Sequence, residues 1–171
     1  MQEGESLETT AQGQRSLLVV NLRGMVNTRV PVRRALEQLH LVRRFNATIV
    51  PESKDYLGML RLCKEHVAWT VANAELVEKL LKQRGEISDG RRVTEETLGV
   101  DGKPVSFKNI AQLVASGKIR LDGTQGFRQF FRLSPPRGGF HRSVRRQYPA
   151  GGILGPNPEL GSLVDSMLPN K

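Results

Sequence analysis

Cysteine is almost missing from this chain: of 171 residues only Cys63 carries a thiol, so no internal disulfide framework exists. Histidine is nearly as scarce. His40, His66 and His141, with Cys63, are the whole supply of nitrogen and sulfur metal ligands. Cys63 and His66 have ligand-like spacing but no second pair, which excludes a zinc site of ordinary type. The same pair lacks an orienting third group, so no nucleophilic centre is expected either. Aromatics make up only 5% of the chain, and Tyr56, Trp69, Phe45 and Tyr148 are the ones to consider for base stacking. The longest aliphatic run, Leu17 to Val20, is far too short to cross a membrane or form a signal-peptide core. No P-loop and no G-x-G-x-x-G is present, and no cofactor, metal or catalytic activity is expected.

The most telling scarcity is local. From Arg23 through Arg29, Arg33 and Arg34 to Arg43 and Arg44 the only carboxylate is Glu37. From Arg128 through Arg132, Arg137, Arg142 and Arg145 to Arg146 there is none. The net charge is +9, and arginine outnumbers lysine by 18 to 8. Unpaired guanidinium groups repel one another unless an anion lies between them. Their planar fork suits phosphate, so a polyanion, and nucleic acid before others, is the expected partner.

Along the chain, residues 1–15 are acidic and polar (Glu3, Glu5, Glu8) and read as a flexible leader. Ser16 to Leu22 reads as a buried strand. Pro31 opens a helix whose apolar stripe is Val32, Ala35, Leu36, Leu39 and Val42. Arg29 and Arg33 then stand near its N-terminus, where cations oppose the helix dipole and a phosphate would reverse the conflict. Phe45 to Val50 reads as a second strand. Ser53 caps a second helix through Cys63, and Val67 to Val71 forms a third strand.

Beyond that β-α-β-α-β core of residues 16–71, residues 72–133 read as an α/β extension. Asn73 caps one helix, closed by Gly85, and Ser106 caps another, closed by Gly117. A short turn is expected near Thr94 to Leu98, and strands at Ile119–Leu121 and Phe130–Leu133. Residues 134–171, punctuated by Pro135, Pro136, Gly138 and Gly139, read as an irregular basic tail with one weak helix near Leu160 to Leu168. Arg142, Arg145 and Arg146 lie where apolar content is too low for folding alone, so ordering on a polyanion is expected. Phe45 and Trp69 are expected in the core. Phe140 and Tyr148 are the better candidates for stacking on a base.

Several of these segments resemble one family in order and spacing. They are Ser16-Leu-Leu-Val-Val-Asn-Leu-Arg-Gly24, Arg33-Arg-Ala-Leu-Glu-Gln-Leu-His-Leu41, Val42-Arg-Arg-Phe-Asn-Ala-Thr48 and Gly58-Met-Leu-Arg61. Together they look like the pattern of large-ribosomal-subunit protein thirty. Ala68-Trp69, Arg84-Gly85 and Phe131-Arg-Leu-Ser-Pro-Pro-Arg-Gly-Gly139 are similar to its archaeal and eukaryotic long form, called large-subunit protein seven in eukaryotes. The resemblance implies an α+β protein with a ferredoxin-like core, bound to large-subunit rRNA in the cytoplasmic ribosome beside neighbouring ribosomal proteins. It implies no catalytic residue, no membrane and no independent homo-oligomer. Carried onto these positions, the RNA-facing set is Arg23 to Arg34, Arg43, Arg44 and Arg137 with Gly138 and Gly139. The charge pattern adds Arg142, Arg145 and Arg146. The alternative is an extraribosomal RNA-binding regulator or RNA chaperone on the same fold.

Overall fold

The computed structural model describes residues 15–87, 89–94, 99–100, 103–104, 106–121 and 128–169. The acidic leader up to residue 14 and the expected turn at 95–98 lie outside them.

The elements follow the sequence closely at first. Strand β1 spans Ser16–Asn21, helix α1 Val30–Gln38, β2 Asn46–Pro51, α2 Lys54–Leu62, β3 Val67–Val71 and α3 Ala74–Arg84. A two-residue pair follows, β4 Gly99–Val100 with β5 Lys103–Pro104, then α4 Phe107–Ala115 and β6 Phe131–Arg132. The last elements are β7 Ser143–Gln147, a 3₁₀ turn at Tyr148–Ala150, β8 Gly152–Pro156 and α5 Leu160–Met167. Six strands form one sheet in the order β6-β2-β1-β3-β8-β7. β1 runs antiparallel to both β2 and β3, while β8 is parallel to β3 and to β7. The result is a mixed α+β protein with a ferredoxin-like core.

The run Leu17-Leu-Val-Val20 explains the layering. Successive strand residues point to opposite faces, so an uninterrupted aliphatic strand needs cover on both. Leu17 and Val19 pack with Ala35, Leu36 and Leu39 of the α1 region and Leu60 and Cys63 of the α2 region. Leu18 and Val20 pack with Val77 and Leu80 of α3, Ile110 and Val114 of α4, and Leu160 and Val164 of α5. Cys63 is fully buried, and burial pushes its thiol up to about 11. That makes it a small hydrophobe rather than a nucleophile. Capping is as read at Ser53, which accepts from the Tyr56 amide at 3.4 Å, and at Asn73, which accepts from the Glu75 amide at 3.4 Å, whereas Ser106 holds the N-cap position of α4 without a side-chain bond.

The last third departs from expectation. Residues 134–169 are not an irregular tail, because β7, β8 and α5 complete the sheet and close one face of the core. Ile153, Leu154, Leu160, Val164, Met167 and Leu168 are all buried. Pro135, Pro136, Gly138 and Gly139 fall in the connection between β6 and β7, whereas Gly152, Gly155 and Pro156 lie within β8 itself. Smaller departures occur at three other places. Ile119–Leu121 is no strand. Val42 leaves the helical stripe and stands 46% exposed, since α1 ends at Gln38. Gly85 is not left-handed (φ −63°); an added Cβ there would strike the Leu81 carbonyl, so close approach is what requires glycine.

Strand register places the arginine segments. Asn21 at the end of β1 faces Val67 at the start of β3, Val20 faces Ala47 near the start of β2, and Arg132 at the end of β6 faces Asn46. Ala68 faces Gly155, so the start of β8, with Ser143 of β7 beside Gly152, belongs to the same end. The loop after β1, the turn before β2 and the segment after β6 therefore all leave from one end of the sheet.

Candidate nucleic-acid interface

Asn21 organises that end. It closes the aliphatic run of β1 and is fully buried. Its Nδ2 donates to the Leu41 carbonyl at 2.7 Å, and its Oδ1 accepts from the Gly24 amide at 2.8 Å and the Arg23 amide at 3.2 Å. One side chain thus ties the loop before α1 to the segment after it. Gly24 sits at φ +80°, a conformation its side-chain-free backbone adopts without strain. Asn27, His40 and Phe45 also have positive φ (55°, 57° and 66°), and all three flank α1. A phenylalanine there is a genuine outlier. It is held because its amide donates to the Asn21 carbonyl at 2.7 Å and its carbonyl accepts from the Leu133 amide at 3.0 Å. Strained backbone concentrates where the arginines are.

The first arginine group divides in two. Arg23 donates from Nη1 to the Glu65 carbonyl at 3.2 Å, and Arg44 donates from Nε to the Leu22 carbonyl at 2.8 Å. Each therefore braces the loop that it could also present to a ligand. Arg29, Arg33, Arg34 and Arg43 are exposed, and among the described residues their side chains have no hydrogen-bond or ion-pair partner. Arg29 is the N-cap residue of α1 without a side-chain cap bond, and no acid occupies the first turn. The expected conflict between cations and helix dipole is therefore present.

The second group is less free than its own segment suggests. Arg142 pairs with Glu159 at 3.3 Å and lies over the Tyr148 ring, 4.9 Å from its centroid. Arg128 pairs with Glu86 at 2.8 Å. Both carboxylates come from elsewhere in the chain. Arg137 is anchored at its backbone and its Nε to the Ser166 carbonyl, and Gly138 and Gly139 turn through φ +78° and +79° with open space around them. Arg145 and Arg146 stand exposed on β7, the edge strand.

A pairing with no counterpart in the linear pattern joins the two groups. The Arg44 guanidinium covers Phe45 at 4.6 Å, and Phe45 stacks on Phe140 with centroids 6.2 Å apart and planes at 24°. Phe140 is therefore engaged within the fold. Phe45 is a half-buried link rather than a strand core residue, and Tyr148 already carries Arg142. Asn21 could have been suspected as the polar residue ending an aliphatic run. The long-range Phe45–Phe140 pairing left no local signal.

His66 lies beneath the same loop, its carbonyl accepting from the Leu22 amide at 3.0 Å. Burial first, and then the nearby Arg23 charge, hold its imidazole below the ordinary value of 6.5. The unfolded chain then binds more protons than the folded one as pH drops past 6.5, so stability should be present above that pH and lost below it. Urea unfolding followed from about pH 7 to about pH 5 should show this decline, and His66→Gln should flatten it.

The fold and this surface together define a basic α+β protein of ferredoxin-like type, with arginines gathered at one end of its sheet. No family model matches the chain. Curated relatives do. The chain is 35% identical over 150 residues to the large ribosomal subunit protein uL30 of Methanocella arvoryzae, covering 87% of this chain and 97% of that protein. Identity to the uL30 of Thermofilum pendens is 39% over 153 residues, covering 88% and 97%. To the uL30 of Nitrosopumilus maritimus it is 33% over 156 residues, covering 90% and 98%. The chain belongs to the uL30 family of large ribosomal subunit proteins, in its archaeal long form.

Proposed function

We propose that the chain is a structural, non-catalytic constituent of the large ribosomal subunit, and that it binds and stabilises folded rRNA through arginine–phosphate contacts. Family membership carries the ribosomal part of this reading. The gathering of Arg23, Arg29, Arg33, Arg34, Arg43 and Arg44 with Arg137, Gly138, Gly139, Arg142, Arg145 and Arg146 at one end of the sheet supports the RNA part. Guanidinium forks position the protein on phosphates, while the fixed loop shapes read the form of the folded RNA rather than its sequence. Neighbouring ribosomal proteins and the cytoplasmic ribosome complete the setting. No helix among the described residues is long and apolar enough to cross a membrane.

The test is sedimentation of cell extract at low and moderate salt with the chain followed by immunoblot. It should travel with the large-subunit peak in both. Its absence from that peak at low salt would sink the reading.

A further inference from the structure

One exposed apolar pair lies inside the arginine surface rather than away from it. Val26 is 86% exposed and Val42 46%. Both line an open groove that also carries Arg23, Arg33, Arg43 and Arg44. The valines come from opposite sides of α1, and the segments bearing them are tied together by Asn21. The loop that holds Val26 in water is thus fixed, and the exposure does nothing for the fold.

A surface made only to bind phosphodiester would need the arginines alone. An apolar seat ringed by guanidinium groups suits a nucleotide that has left its stack, with an apolar base face at the centre and phosphates on either side. In a continuous A-form helix those faces are covered, so the occupant must be a bulged, looped or terminal nucleotide. An apolar protein side chain fits less well, because closing the groove over it would bury several cations against the single carboxylate Glu37. Resting on the rRNA-binding reading above, we propose that the Val26–Val42 groove seats one unstacked nucleobase of RNA, with Arg33 and Arg43 on its flanking phosphates.

Two RNA hairpins with the same stem, one fully paired and one carrying a single 2-aminopurine bulge, test this with the full chain. The wild type should bind the bulged hairpin about tenfold more tightly and change its fluorescence. V26S/V42S should abolish the preference and leave the salt dependence unchanged. R33A/R43A should lower the salt dependence on both hairpins and keep the preference. Equal wild-type binding to the two hairpins, or a preference that survives V26S/V42S, overturns the base seat. Failure to bind either RNA in a salt-dependent way would instead strike the underlying reading. In assembled large subunits, a benzophenone side chain in place of Val26 should crosslink to RNA, and a crosslink to protein alone overturns the proposal.

Discussion

Arg29, Arg33, Arg34 and Arg43 replaced together by alanine should weaken binding to large-subunit rRNA by ~10³-fold, at roughly 1 kcal/mol for each arginine–phosphate bond removed. The slope of log K against log salt should fall by about 3, which counts phosphates rather than total affinity. These four side chains are exposed and, among the described residues, unpartnered, so nothing in the fold depends on them. The variant should be at least as stable as the wild type, because it removes cations from the N-terminal end of α1, which has no acid in its first turn. Opposite signs for binding and stability make the experiment decisive. An unfolded variant would lose both. The triple change Arg142/Arg145/Arg146→Ala provides the contrast. Arg142 is held by Glu159 and Tyr148, so its replacement should reduce the slope by closer to two phosphates than three. Isothermal titration or filter binding across about 50 to 200 mM salt measures both.

That contrast also shows what sequence could and could not reveal. The β-α-β-α-β core is legible because its signals are local: an aliphatic run, a proline in a first helical turn and Ser53 as a cap; Asn73 marks the next helix in the same way. The arginine clusters were legible because their lack of nearby acid is a linear property. The partners of Arg128 and Arg142 were not, since Glu86 and Glu159 come from distant segments and meet them only in the fold. The tail was misread for the same reason. Ser143 to Gln147 is short and carries two adjacent arginines, Gly152 to Pro156 is short and holds two glycines, and neither shows clear alternation. They become strands only because β3 offers an edge to β8, and β8 to β7. Gly152 shows how close that pairing is, as an added Cβ would collide with the Arg146 carbonyl. Arg145 and Arg146 thus stand on a strand already in place, and presenting them needs no ordering of an extension on RNA.

Asn21→Ala should cost about 3 kcal/mol of stability and also weaken RNA binding, although Asn21 is fully buried. The substitution removes a donor to the Leu41 carbonyl and an acceptor for the Gly24 and Arg23 amides. Gly24 and Leu41 are themselves buried, so water does not readily replace the missing partners. The loop that bears Arg23 and Val26 would lose its tie to the segment that bears Val42 and Arg43. The Phe45 amide keeps its bond, because it donates to the backbone carbonyl of residue 21, which the substitution leaves in place; the loss is confined to the tie between the two loops. Urea unfolding should show a lower midpoint with an unchanged slope, the mark of reduced stability without a change in the surface exposed on unfolding. RNA affinity should fall while the salt slope stays near that of the wild type, because no phosphate-binding side chain is deleted; the arginines are only held less well in register. Asn21→Asp sharpens the point. It keeps both acceptor bonds but loses the donor to Leu41 and buries a carboxylate, so it should be no more stable than the alanine variant. A wild-type midpoint in either variant would mean that the two loops are held together by something other than this one amide.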